Sequence, residues 1–173
     1  MLCLIKFMCV SSGVCEKNLE LIFHMLEADS DPIIKTNVLI GIGDLYHRYP
    51  NIIEKYLPFV YRSLSDKNNR VRKTCLMVIT HLVLNDMLKV KAEISSIAVL
   101  IEDEDIRIQN MVKLFFHELN KKDPKAIYNL LPELIGRLST EKVDSSVFLN
   151  FCENVLPHID KDKQSELLIE KLC

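Results

Sequence analysis

The residues of this 173-residue chain that could carry chemistry are six cysteines, five histidines and four glycines. A zinc helix of the H-E-x-x-H type needs two histidines four residues apart on one helix face. His117 and Glu118 would begin such a motif, but Lys121 stands where the second histidine is required. No two cysteines have the C-x-x-C spacing of a zinc or redox site. We therefore interpret the cysteines as reduced, mostly buried small hydrophobic residues and expect no metal site.

Phosphate-binding and catalytic motifs are also missing from the sequence. A dinucleotide loop needs three glycines, whereas Gly41 and Gly43 stand alone in a stretch with helical periodicity. We interpret these two glycines as small residues that permit close helix packing. No G-x-x-x-x-G-K-[ST] segment occurs, and no Ser, His and Asp residues form a recognisable catalytic set. The sequence therefore predicts a protein that is not an enzyme, with no cofactor and no small-molecule substrate.

The composition is that of a globular helical protein. Hydrophobic residues make up 49% and charged residues 27% of the chain, and the formal net charge is -2. With only four glycines and six prolines, a barrel or a sandwich would lack the special turns it needs. The apolar stretch at residues 1–10 (MLCLIKFMCV) is interrupted by Lys6 and is too short to cross a membrane, so we expect neither a leader nor a membrane contact.

Two patterns of apolar residues recur along the chain at intervals of 37 to 40 residues. The first has members at i, i+3, i+4 and i+7, and the second has members at i, i+4, i+7, i+8 and i+11. Both spacings place side chains on one face of an α-helix, so each repeat is predicted to be a pair of helices. The first pattern starts at Leu19, Leu57, Ile94 and Leu131, and the second starts at Ile34, Val71, Ile108 and Phe148.

Polar turns and prolines separate the predicted helices. Asp and Ser side chains in these turns can accept hydrogen bonds from the unpaired N–H groups at the start of the next helix, and Pro32 suits a first helical turn. His81 and His158 lie near the predicted ends of second helices, where a histidine interacts favourably with the helix C-terminus. Pro58 and Pro132 fall at the same phase of two first helices and are predicted to bend them.

Stacked helix pairs with a bent first helix are typical of HEAT repeats. The sequence therefore predicts an all-α fold, a HEAT-repeat α-solenoid of stacked antiparallel helix pairs in a right-handed superhelix. We expect residues 1–173 to form one array of about four helix pairs with partial repeats at both ends, because the phase extends back to Ile5 and forward to Leu168. Both ends are apolar, which indicates a piece of a longer array.

Charge is distributed unevenly along the chain. Between Arg62 and Lys91 seven basic residues oppose two acidic ones, and the stretch that follows, to Asp105, carries five acidic residues and no basic one. Three of the cations lie in the predicted first turn of a second helix, which is the wrong end for the helix dipole. Their position indicates contact with DNA phosphate or an acidic partner, and the alternative is a solvated face with an Arg bonded to an Asp of the neighbouring repeat. The candidate contact residues are Arg70, Arg72, Lys73, Lys89 and Lys91.

Several long, non-repetitive strings resemble one family. These strings are residues 6–12 (KFMCVSS), 70–74 (RVRKT), 80–91 (THLVLNDMLKVK), 113–119 (KLFFHEL), 127–132 (IYNLLP), 137–139 (RLS), 160–164 (DKDKQ) and 170–173 (EKLC). With them the chain resembles, over essentially its whole length, the HEAT-repeat, non-SMC subunits of condensin, and it is closer to the condensin I type than to the condensin II type. The resemblance implies a segment from the C-terminal half of such a subunit.

The resemblance implies a scaffold that acts in mitotic chromosome condensation. Its implied partners are a kleisin subunit, the SMC ATPase subunits, the other HEAT subunit of condensin and chromosomal DNA. It also implies a location in the nucleus and on chromosomes, with a cytoplasmic pool. The alternative is a different HEAT or armadillo scaffold of a vesicle coat or of nuclear transport.

Overall fold

The computed structural model describes residues 2–28, 31–89 and 95–123, with the isolated positions 149 and 153. Across these residues the regular structure is helical and contains no strand, so the predicted all-α class is confirmed. The helix pair predicted from Leu131, the bend at Pro132 and the pattern from Phe148 lie outside the described residues, apart from the helical positions 149 and 153. The chain divides into two compact units, Met1–Leu88 and Lys89–Cys173.

Within its described residues the first unit contains six α-helices and two short 3₁₀ turns. The 3₁₀ turns are Glu54–Tyr56, between α4 and α5, and Ser63–Ser65, after α5. The helices are α1 (Leu2–Val10), α2 (Ser12–Glu27), α3 (Pro32–Arg48), α4 (Pro50–Ile53), α5 (Leu57–Arg62) and α6 (Asn69–Leu84). In the second unit the structure describes α7 (Ser95–Val99), a 3₁₀ turn at Leu100–Glu102 and α8 (Ile106–Lys122).

The helices of the first unit pack by repeat. The second helix of the first pair, α3, packs against its own partner α2 and also against α1 before it and α6 after it. The first helices α2 and α5 contact each other in the same way. Second helices therefore stack on second helices and first helices on first helices, which is the arrangement of a repeat array.

The two predicted apolar patterns form a large part of the core, together with buried residues outside them such as Leu39, Ile53 and Leu76. Every described member of both patterns is buried except Ile34 and Val78, which are half-buried. Met1, Leu4, Ile5 and Met8 continue the second pattern back to a preceding second helix. Ile5 and Met8 are buried in α1, Leu4 is half-buried, and Met1 lies outside the described residues. The periodicity thus identified the buried face of each helix correctly, because side chains three and four residues apart share one side of a helix.

The first helix of the second pair is divided where the sequence predicted a bend. An α-helical turn at Pro50–Ile53 passes into the 3₁₀ turn Glu54–Tyr56, and the α-helix resumes at Leu57 with Pro58 in its first turn. Proline lacks an N–H group and its ring collides with the preceding turn of an α-helix. Pro58 is tolerated here because N–H groups in a first turn have no partner within the helix.

The turns inside the helix pairs repeat the same hydrogen bonds. Asp31 caps α3 by accepting a 2.7 Å bond from the N–H of Ile33, and Asn68 and Asp105 cap α6 and α8 with bonds of 2.9 Å each. The three capping residues are 37 positions apart. The predicted capping of second helices is therefore confirmed at Asp31, and the equivalent positions carry the later caps.

Gly41 and Gly43 allow α3 to approach a helix on either side. A Cβ atom at Gly41 would collide with the side chain of Ile5 in α1, coming within 2.8 Å of its Cγ2 atom. A Cβ atom at Gly43 would lie 3.2 Å from Cγ1 of Val78 in α6. The interpretation of these glycines as packing residues is confirmed.

None of the helices in the described part of the chain is long and apolar enough to cross a membrane.

Candidate partner-binding surface

The first turn of α6 carries three of the five candidate cations, Arg70, Arg72 and Lys73. The helix can begin here because the Asn68 side chain accepts a hydrogen bond from the N–H of Arg70 at 2.9 Å. The N–H of Asn68 is held in turn by Oδ1 of Asp66, also at 2.9 Å. A helix N-terminus is already positive, so three cations in this turn create a local site of attraction for anions.

Arg72 is engaged in the fold. Its half-buried side chain donates from Nη1 to the backbone carbonyl oxygens of Asp66 at 2.9 Å and Lys67 at 3.2 Å. One repeat later Gln109 stands at the equivalent position and donates to the carbonyl oxygen of Asp103 at 2.7 Å. In these two pairs the position closes the internal turn, whether or not its side chain carries a charge.

Arg70 and Lys73 are placed differently from Arg72. Arg70 is exposed and Lys73 is half-buried, and within the described part of the chain neither side chain forms a hydrogen bond or an ion pair. Lys89 is exposed but belongs to the second unit, and Lys91 lies outside the described residues. The described structure thus brings Arg70, Arg72 and Lys73 together on one helical turn.

An ion pair between repeats lies close to the basic turn. Lys35 in the first turn of α3 donates from Nζ to Oδ2 of Asp66 at 2.8 Å, and both side chains are nearly buried. Burial acts to raise the pKa of Asp66, but the hydrogen bonds from Lys35 and from the N–H of Asn68, with the charges of Lys35 and Lys67, hold that pKa below its usual value. The alternative interpretation of the basic turn expected an Arg of that turn to bond an Asp of the neighbouring repeat, whereas the ion pair between repeats described here is formed by Lys35 of the preceding repeat.

A groove runs between α3 and α6 on the side away from the core. Its volume is about 570 Å³, within the range of roughly 300–1,000 Å³ that pockets for small ligands usually have. Its apolar lining is formed by Ile40, Gly43, Met77, Val78 and Met87, and its polar lining is formed by Asp44, His47, Thr74 and His81.

Two histidines, His47 and His81, lie where the C-terminal ends of α3 and α6 border the groove, and each has a hydrogen-bonding partner nearby. His47 places Nδ1 at 3.4 Å from the sulfur of Met87, and Asn85 places Nδ2 at 3.1 Å from Nδ1 of His81. His81 lies in the last turn of α6, as the sequence predicted. In the part of the chain that the structure describes, no three His, Cys, Asp or Glu residues are grouped so as to bind a metal ion.

The apolar groove was missed by the sequence reasoning. Ile40 and Met77 lie on the helix side that faces away from the core, where they are 51% and 52% exposed although both are large apolar residues. They are 37 positions apart and therefore occupy the same place in successive repeats. Two large apolar residues at an outward repeat position were the available signal, since such positions in a surface helix are usually polar.

Comparison with known proteins shows which family shares this sequence. The family model described as non-SMC mitotic condensation complex subunit 1 matches residues 33–173, which is most of the chain. The match includes α3, α6, α8 and the whole candidate surface.

Individual relatives agree with the family model. The condensin-1 complex subunit CAP-D2 of Arabidopsis thaliana is 43% identical over 173 residues, which is 100% of this chain and 12% of the relative. Condensin complex subunit 1 of Homo sapiens is 44% identical over 97% of this chain and 12% of its own length. The corresponding protein of Saccharomyces cerevisiae is 37% identical over 99% of this chain and 14% of its own length.

The chain therefore spans about an eighth of the length of the curated relatives it matches. Its helix pairs, its 37-residue repeat and the match over residues 33–173 agree with one another. On these grounds the chain belongs to the HEAT-repeat family of condensin complex subunit 1.

Proposed function

We propose that this chain supplies a non-catalytic scaffold segment to a condensin complex and acts in mitotic chromosome condensation. The observation that carries the proposal is the family match over residues 33–173, on a fold whose helices bury one face and leave the other for partners. The proposed partners are a kleisin subunit, the SMC ATPase subunits and the other HEAT subunit. ATP would be hydrolysed by the SMC partners, and the complex would act on chromosomes in the nucleus, with a cytoplasmic pool.

The repeat architecture suits a scaffold. We infer that residues 1–173 form one array, in which each pair contacts only its neighbours and small rotations between pairs add up. The array could then bend while several partners stay bound to it and move relative to one another.

Co-purification tests the scaffold role. The full-length protein carrying this segment is expected to co-purify from mitotic cells with SMC ATPases and a kleisin in a fixed ratio. Recovery of vesicle-coat or nuclear-transport subunits without SMC ATPases would reject the proposal and support the alternative scaffold class.

The basic residues are proposed to contact DNA phosphate or an acidic partner surface. Arg70 and Lys73 carry this proposal because, among the described residues, their side chains have no partner, and Lys89 and Lys91 are assigned the same role by their charge. Arg72 contributes charge to the same turn while its guanidinium holds the Asp66 and Lys67 carbonyls.

A charge-reversal pair tests this contact. The double variant Arg70→Glu, Lys73→Glu is compared in the full-length protein with Lys6→Glu, Lys17→Glu, which makes the same charge change at two exposed lysines on α1 and α2. If DNA phosphates are contacted, the first variant should lower the salt dependence of DNA binding by about 0.9 in log–log slope per lost contact. An acidic partner would instead weaken subunit binding at an unchanged DNA salt slope. If both variants behave like the wild type, the turn is only a solvated face.

A further inference from the structure

We propose that the groove between α3 and α6 binds a peptide segment of a partner protein, with apolar side chains between Ile40 and Met77 and carboxylates facing Arg70 and Lys73. The inference rests on the proposed scaffold function and names the chemistry of one partner of that scaffold.

The apolar part of the groove is not explained by the fold. Ile40 and Met77 are half exposed on the outward side of two stacked helices, with half-buried Val78 and Met87 beside them. A solvent-facing stripe on an amphipathic helix would ordinarily carry polar residues there. Methionine adapts its shape to different apolar partners and is common on surfaces that bind peptides. The groove therefore has the lining and the volume to accept a few aliphatic or aromatic side chains.

The charge around the groove selects the kind of segment. Three residues of α6 follow Arg70 at helical spacing: Lys73 by three positions, Thr74 by four and Met77 by seven. Because residues at this spacing share one helix face, the two cations lie on the same face as the groove. Of the described residues in the lining only Asp44 is acidic, and it lies one turn after Ile40 on α3, away from the N-terminal turn of α6. A segment with apolar anchors followed or preceded by Asp or Glu residues matches this arrangement.

A peptide fits this surface better than nucleic acid does. Single-stranded nucleic acid is held by bases stacked on aromatic rings and by cations along the backbone. Among the residues that the structure describes, those lining the groove include no Phe, Tyr or Trp. A sugar–phosphate backbone would satisfy Arg70 and Lys73 but would leave Ile40 and Met77 exposed to water.

Site-specific photo-crosslinking in the assembled complex tests the proposal. The probe is benzoylphenylalanine introduced at Ile40 or at Met77 of the full-length protein, which is then assembled with purified SMC, kleisin and HEAT subunits. The matched control carries the probe at Leu21, which is 51% exposed and lies on α2, outside the groove lining. Cross-linked peptides are identified by mass spectrometry, and assembly is measured separately by gel filtration.

The expected result is one partner segment that cross-links to both groove positions and not to Leu21. That segment should contain an apolar residue at the cross-link and at least two Asp or Glu residues within about one helical turn or four residues of it. Adding Arg70→Glu and Lys73→Glu should lower the cross-linking yield about tenfold, whereas Lys6→Glu with Lys17→Glu should leave it within about twofold.

Other results would overturn the inference. An intact complex with no cross-link, or with cross-links to DNA, to a second copy, to this chain itself or to a segment without acidic residues, rejects the groove while the scaffold role stands. Failure of the unmodified protein to assemble rejects the scaffold role and the groove together.

Discussion

Lys35 and Asp66 form an ion pair that joins the second helix of one repeat to the internal turn of the next. The Nζ and Oδ2 atoms are 2.8 Å apart, and the side chains are only 10% and 12% exposed. A second ion pair between the same two repeats, Arg62 with Glu27, has the same 2.8 Å separation but side chains that are 70% and 45% exposed. The two pairs have the same separation but differ in residue type and strongly in burial, so distance alone cannot account for any difference in their contribution to stability.

We expect Asp66→Ala to lower the free energy of unfolding by about 3 kcal/mol, because it leaves the nearly buried Lys35 ammonium without its partner and also removes the acceptor of the Asn68 N–H. The matched control Glu27→Ala removes the exposed pair and should cost less than about 1 kcal/mol. Urea denaturation of the chain at neutral pH, followed by circular dichroism, measures both. Equal costs for the two variants would show that the Lys35–Asp66 pair contributes no more than a surface pair.

The Asp66 carboxylate also makes the free energy of unfolding depend on pH. The pKa of Asp66 is lowered in the folded chain, so its contribution is complete above the unfolded-state pKa of about 3.9 and is lost as the pH falls through the lower folded value. The urea midpoint of the wild type should therefore fall more steeply below about pH 4 than that of Asp66→Asn, which cannot titrate. Parallel pH profiles for the two proteins would contradict the lowered pKa.

We expect alanine at position 41 to destabilise the packing of α3 against α1. Its added Cβ would collide with Ile5, so Gly41→Ala should cost about 1–3 kcal/mol despite the better helix propensity of alanine. Gly13 is the matched control in α2, where the nearest atom to an added Cβ is the Ser11 hydroxyl at 4.0 Å. Gly13→Ala should stabilise by about 0.5–1 kcal/mol, the intrinsic preference for alanine.

Shortening the Ile5 side chain should rescue the stability of the Gly41→Ala variant. In the background Ile5→Ala, the additional cost of Gly41→Ala should be much smaller, because the colliding side chain has gone. Thermal unfolding of the four proteins gives the coupling energy directly. Additive costs would mean that the close approach of α1 to α3 is not what Gly41 provides.

The thiols of the described cysteines should differ widely in reactivity. Burial raises the pKa of the Cys75 thiol strongly, and its Sγ donates to the carbonyl oxygen of Val60 at 3.1 Å, so little thiolate forms. Cys15 is also buried with a raised pKa, whereas Cys3 is exposed. Iodoacetamide labelling of the native chain at pH 8, read peptide by peptide, should modify Cys3 and leave Cys75 unmodified until denaturant is added. Rapid labelling of Cys75 would show that α6 does not stay packed against the Val60 segment.

Local rules made much of the fold predictable. The burial of Leu19, Ile22 and Phe23 followed from helical spacing, and the cap at Asp31 followed from the chemistry of Asp before a proline-led helix. The interruption near Pro58 was anticipated as a bend, but its division into a 3₁₀ turn and a restarted helix was not. The spacing of apolar residues predicts which positions share a helix face. The hydrogen-bond pattern around a proline also depends on how the neighbouring helices pack against it.

The candidate surface was predictable only in part. The basic residues at 70, 72 and 73 are visible in the sequence as a charge cluster, yet their different roles are not, because Arg72 binds carbonyl groups that only the folded turn brings to it. The sequence places Ile40 and Met77 at the same outward position of successive repeats, but only the packing of α3 against α6 makes them border one groove.

For the described part of the chain, the sequence by itself determined that the structure is helical, that its helices come in pairs with a period of about 37 residues, and which helix faces are buried. These properties depend on neighbours three or four positions apart, which the chain order already specifies. Only the tertiary structure decided that Lys35 meets Asp66, that Ile5 fills the space beside Gly41, and that Ile40 and Met77 border one groove. Each of these contacts joins residues more than 30 positions apart, and such contacts arise only when one helix packs against the next.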